Sequence, residues 1–184
     1  MGRLEEAVAA SRRALDSDPL SAFAQWRLGY RYFLSRQFDR AAQQFRAALE
    51  LDQNYVAAQL YLALTLSEQG RIEEAIKLME ASAPMGHVGA ACVAALYARA
   101  GRTAEARRML GELEQRSQRS YVPPSLIAGI LRHLGEMGHA LEWLEKAVEE
   151  HDGMVLHVRL LPGYDCLRGE PRYQALLRKM HLDP

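Results

Sequence analysis

Apolar residues recur along this 184-residue chain at helical spacing, in short runs separated by polar breaks. The fullest run lies between Ala22 and Tyr55. Trp26, Leu28, Tyr32 and Leu34 sit at helical spacing before a break at Ser35-Arg36-Gln37, and Phe38, Ala41, Phe45, Ala48 and Leu49 follow three or four apart. Two apolar stripes joined by a short polar turn predict an antiparallel pair of helices.

Most of the chain copies this pattern. Leu28-Gly29 recurs as Leu62-Ala63, Val93-Ala94 and Ile127-Ala128, in steps of 34, 31 and 34 residues. A second-helix alanine recurs as Ala7, Ala41, Ala75, Ala106 and Ala140, with the same steps after an extra 34. Gly2, Gly70, Gly101 and Gly135 mark the turn between helices, with Arg36 standing there in the remaining copy. Large apolar residues follow the alanine by four positions at Phe45, Met79, Leu110 and Leu144. The small residues let two helix axes approach toward the lower end of the usual ~8–10 Å. Larger neighbours such as Tyr32, Phe45, Tyr97 and Leu144 then fill the space between successive pairs. One pair cannot bury its own apolar faces, so the pairs must stack in a row.

On these columns the chain resembles the tetratricopeptide repeat family, over roughly four-fifths of its length. The resemblance implies an all-α fold: a right-handed α-solenoid of helix-turn-helix repeats with a C-terminal capping helix. Residues 1–21 read as a half repeat, second helix only, because Gly2-Arg3-Leu4-Glu5-Glu6-Ala7 matches Gly70-Arg71-Ile72-Glu73-Glu74-Ala75 in type. Asp18-Pro19 closes it. Four repeats follow at 22–55, 56–86, 87–120 and 121–154, the second of them three residues short near Pro84-Met85-Gly86. Gln53 replaces the family's proline and is expected to lengthen the preceding helix or loosen the turn. Pro124 suits a first helical turn. Residues 155–184 read as an irregular start and then a capping helix from about Pro171, with Tyr173, Leu176, Leu177 and Met180 on one apolar face. The opening half unit raises the expectation that the chain is a piece of something longer. From Tyr121 to Tyr173 it also resembles the tetratricopeptide ends of multidomain bacterial signalling proteins, whose upstream parts are winged-helix regulators, nucleotide cyclases or protein kinases. That likeness transfers no catalytic residue.

In such a family the first helices line a concave groove that holds peptides or partner helices. Helical spacing puts Phe23, Trp26, Tyr30 and Phe33 on one line, and Ala57, Leu60, Leu64 and Ser67 on the next. Val88, Ala91, Ala95 and Ala98 follow, then Val122, Ser125, Gly129 and Arg132. The expected groove, represented by Phe23, Trp26, Tyr30, Phe33, Leu60, Leu64, Ala91, Ala95, Ser125 and Arg132, is aromatic at one end and small in the middle. That suits an amphipathic helix or hydrophobic segment. The competing reading makes Phe23 and Trp26 plain core, packed against the helix Arg3–Asp16. The Lys and Asn needed to clamp a C-terminal carboxylate are absent from these lines. The expected function is a non-catalytic scaffold for protein–protein interaction. The alternative is a regulatory or self-associating segment of a larger bacterial signalling or transcription-regulating protein, a homo-oligomer formed through Leu4, Val8 and Leu15 of the half repeat.

Composition removes other classes. The 23 basic and 23 acidic residues cancel, so no bulk field recruits nucleic acid or a membrane surface. No apolar run matches a membrane span and no signal pattern opens the chain. Met1-Gly2 lacks the Ser or Thr that myristoylation wants, Glu6 standing there. Two cysteines, Cys92 and Cys166, are too few for a secreted scaffold and fit a reducing, cytoplasmic setting. Arg99, Arg102, Arg107, Arg108, Arg116 and Arg119 make one repeat basic, and Glu136, Glu142, Glu145, Glu149, Glu150 and Asp152 make the next acidic. Solvated faces with modest pairing explain this better than a bipolar docking surface. The histidines form no ligand spacing, Cys92 sits in an Ala-rich helix as a small hydrophobe, and no phosphate loop exists, so no metal, cofactor or catalysis is expected.

Overall fold

The periodic runs fold as helices in a computed structural model that describes residues 2–82 and 86–182. The chain divides into two units, Met1–Met85 and Gly86–Pro184. In the first, α1 (Gly2–Ser17) packs on α2 (Ala22–Leu34), which pairs with α3 (Phe38–Leu51), and α4 (Val56–Glu68) pairs with α5 (Ile72–Ala81). In the second, α6 (Gly86–Arg99) pairs with α7 (Thr103–Ser117) and α8 (Pro124–His133) with α9 (Met137–Glu149). Two 3-10 turns (Gly153–His157 and Pro162–Leu167) then lead to α10 (Pro171–Lys179). The fold class is all-α, an α-solenoid of helical repeats within each unit.

Steric columns decide the pairing. Ala41, Ala75, Ala106 and Ala140 are fully buried, as are Ala63, Ala94 and Ala128 opposite them. The larger Phe45, Met79, Leu110 and Leu144 are buried beside them. Each hairpin turn closes the same way. The N–H groups of Gln37, Arg71, Arg102 and Glu136 donate to the carbonyls of Tyr32, Leu66, Tyr97 and Leu131, each at 2.9 Å. That closure needs a left-handed residue. Gly70, Gly101 and Gly135 supply it at φ 79°, 77° and 82°, and Arg36 adopts it at φ 59° with its guanidinium donating to the Leu34 carbonyl. Gly2, by contrast, is already helical.

One expectation changes and another is not reached. Gln53 does not lengthen its helix: α3 stops at Leu51, the equivalent of Ser17 where α1 stops, because Asp52 Oδ1 accepts from Asn54 N–H and turns the chain. The shortening near Pro84-Met85-Gly86 falls on residues 83–85, outside those described; Gly86 itself opens α6 at φ 60°. Pro124 begins α8 as expected.

The end of the second unit is sealed by the non-periodic segment. Val155, Val158, Tyr164 and Leu167 join Tyr173 and Leu176 of α10 in one core with Leu141, Leu144 and Ala147 of α9. Tyr173 donates its buried hydroxyl to the Val158 carbonyl at 3.0 Å, and Arg172 pairs with Glu145 at 2.8 Å on the rim.

Candidate partner-binding face

In the first unit the spacing of α2 places aromatic residues one turn apart, and they stack. The Trp26 and Tyr30 rings lie 5.6 Å apart at 7°, and Phe23 continues the ladder 5.9 Å from Trp26. Helix α4 adds Tyr61, edge-on to Tyr30 at 5.0 Å and to Trp26 at 6.1 Å, and Tyr55 from the α3–α4 turn meets Trp26 at 6.3 Å. Below them Phe33 packs on Tyr61 and Phe38 and is buried. The ladder is graded: Phe23 is 54% exposed, Trp26, Tyr30 and Tyr61 are half-buried, and Phe33 belongs to the core. Leu60 and Leu64 are half-buried on α4.

Polar groups hold this wall in place. The Tyr30 and Tyr61 hydroxyls bond each other; burial and that neighbour push the Tyr61 phenol far up, and burial raises Tyr30 as well. Trp26 Nε1 is shut in without an acceptor. Arg27 lies 5.6 Å from the Phe23 ring centroid and Arg31 5.8 Å from that of Tyr30. Helix α1 is engaged by Tyr32, whose hydroxyl accepts from Arg12 Nε and Nη2 at 2.8 and 2.7 Å. Trp26 itself is half-buried, with its indole nitrogen enclosed. The rings it meets are on α2, the α3–α4 turn and α4. Tyr61 sits beside Leu60 and Leu64 rather than on their line, and an aromatic among aliphatics is its signal in the sequence.

The second unit treats its predicted groove residues differently. Ala91 is buried in a core with Ala94, Leu110, Ile127 and Ile130, and Ala95 is half-buried against it. Ser125 and Arg132 do not line an open groove, because the chain's own C-terminal segment covers them. Asp152 is buried and accepts from Ser125 N–H at 3.1 Å and Met154 N–H at 2.9 Å, bringing residues 153–167 back over α8. Arg132 lies 5.0 Å from the Tyr164 ring centroid. A Cβ on Gly129 would meet the Tyr164 hydroxyl at 3.8 Å, and one on Gly163 would strike Arg132 Nη2 at 2.7 Å. Burial, then Arg132 and Arg99, push the neighbouring His133 down to about 3. Pro162-Gly163-Tyr164 has no periodic counterpart in the chain, so its only sequence signal was a turn.

Cys92 is buried, its thiol pushed up to about 12 by desolvation, and Cys166 is exposed. Among the described residues no group of three or more His, Cys, Asp or Glu could hold a metal ion, and no helix is long and apolar enough to cross a membrane. The charged repeats pair within one helix, as in Arg108–Glu112 at 2.6 Å, and from one repeat to the next, as in Arg107–Glu136 at 2.7 Å, surface contacts worth about 0–1 kcal/mol each.

Comparison with known proteins agrees with this architecture. Residues 32–99, from Tyr32 in α2 to Arg99 ending α6, match the family model of the tetratricopeptide repeat. A human protein, Tetratricopeptide repeat protein 13, is 35% identical over 77 residues, which are 42% of this chain and 9% of that protein. Among solved structures, YrrB, described as a TPR protein with an unusual peptide-binding site, aligns with TM-score 0.53 at 20% identity over 87% of this chain and 85% of its own. MamA aligns with TM-score 0.54 at 16% identity over 84% of this chain and 92% of its own. At these identities the structural likeness concerns the fold.

Proposed function

We propose that this chain is a non-catalytic scaffold that holds a polypeptide partner, a peptide or a helix, along the first helices of its repeats. Tetratricopeptide repeats in general mediate protein–protein interactions. The observation that carries the reading is the half-open ladder of Phe23, Trp26 and Tyr30, braced from behind by Tyr61 and Phe33. Rigid rings held in place by a core lose little entropy when a partner covers them. The face lies on α2 and α4, and α8 contributes nothing because residues 153–167 occupy its line. Panning a random peptide library tests this. Recovered peptides should shift the emission of Trp26 in a Trp143→Phe background and should lose binding to a Phe23→Ser/Tyr30→Ser variant. Peptides that bind that variant as well as the parent would refute the assignment.

One observation favours a second reading, in which the chain is a regulatory or self-associating segment of a larger bacterial signalling protein. Leu4, Val8 and Leu15 on α1 are only half covered. A homo-oligomer through this stripe predicts that Leu4→Glu/Val8→Glu lowers the sedimenting mass, and an unaltered mass excludes that interface.

A further inference from the structure

The charges around the aromatic ladder specify the partner's chemistry. Helix α2 carries Arg27 and Arg31 and no carboxylate, and α4 carries none before Glu68, its last residue. Arg27 and Arg31 are one turn apart, each lying over a ring of the ladder. Among the described residues neither guanidinium forms an ion pair or hydrogen bond, whereas those of Arg12, Arg40 and Arg71 in the same unit are engaged by Tyr32, Gln37 and Glu74. A guanidinium without an ion-pair partner leaves its fork of N–H donors available, and that fork matches a carboxylate.

We infer that the α2–α4 face takes an acidic amphipathic peptide, its apolar residues on Phe23 and Trp26 and its carboxylates on Arg27 and Arg31. The inference rests on the groove reading above and names the class of partner it admits. A basic peptide would set like charge against two guanidiniums. A second copy of this chain, docked two-fold through the same face, would oppose arginine to arginine, because such an interface meets itself.

Three synthetic helical peptides of about sixteen residues test it, identical in their Leu and Phe pattern and flanked by Glu, Gln or Lys. Affinity is read by calorimetry and by Trp26 emission in the Trp143→Phe chain. The Glu peptide should bind about tenfold tighter than the Lys peptide and weaken as salt rises. Arg27→Gln/Arg31→Gln should bring its affinity down to that of the Gln peptide, with an unchanged melting curve. Equal binding of the three peptides, or an Arg27→Gln/Arg31→Gln variant that binds like the parent, overturns the charge inference and leaves the groove reading standing. No binding of any peptide at about 1 mM, or binding indifferent to Phe23→Ser, overturns both. A dimer that Phe23→Glu dissociates assigns the face to a second copy instead.

Discussion

Replacing Gly29 by alanine sets two opposed effects against each other. Gly29 lies inside α2, so alanine there should gain about 1 kcal/mol from helix propensity alone. The structure predicts the reverse. A Cβ at Gly29 would stand 2.8 and 2.9 Å from Cε1 and Cδ1 of Phe45 and 3.1 Å from Gln44 Cβ, several tenths of an ångström inside ordinary contact. The Phe45 ring is fully buried and stacked 5.9 Å from Tyr61, so it cannot turn aside without moving the base of the ladder. Overpacking of this kind costs about 1–3 kcal/mol, which outweighs the propensity gain. Gly111 is the reference. It sits within α7, exposed, with nothing within 4 Å of its Cβ position, so Gly111→Ala should stabilise by up to about 1 kcal/mol. The gap between the two substitutions isolates the overlap and should be about 1–3 kcal/mol by urea denaturation. Phe45→Leu should then cost less beside Ala at position 29 than beside Gly, with a coupling of about 1 kcal/mol. If Gly29→Ala stabilises as much as Gly111→Ala, the close crossing of α2 and α3 is misplaced.

Other perturbations read other parts of the packing. Ala41→Leu and Ala140→Leu, both at fully buried crossings, should each lose about 1–3 kcal/mol, and an unchanged melting temperature would contradict the placement. Asp152→Ala strands the N–H groups of Ser125 and Met154 and should cost about 1–3 kcal/mol. Limited proteolysis should then cut within residues 153–167 first, and cleavage elsewhere first would argue against Asp152 as the tie. His133 is held neutral down to about 3, whereas the unfolded chain takes up its proton near 6.5. Its contribution is therefore intact above pH 6.5. It is lost as pH falls from there toward 3, with a slope approaching about 1.4 kcal/mol per pH unit. His133→Gln should flatten that fall in urea denaturation at stepped pH, and an unaffected slope would reassign it.

Much of the repeat architecture was legible because its contacts are local and recur at constant spacing. Gly29, Ala63, Ala94 and Ala128 meet their partner helices across a single hairpin, so each copy of the pattern restates the same steric demand. The position of the turn between helices was legible for the same reason, even where Arg36 stands in for glycine; its left-handed backbone is read from the structure. The aromatic line of α2 was visible as a line, but how far it is enclosed depends on Tyr61, which approaches from another hairpin. Least legible was the fate of Ser125 and Arg132. Helical period assigns a residue to a face and does not say what covers that face. What covers α8 is a segment without period, drawn back by Asp152 and Tyr164 through contacts that are made only once. The chain alone thus determined which residues cross closely inside each hairpin, since repetition makes short-range packing readable. Tertiary structure decided which part of the predicted groove stays open, since that depends on single contacts between segments far apart in sequence.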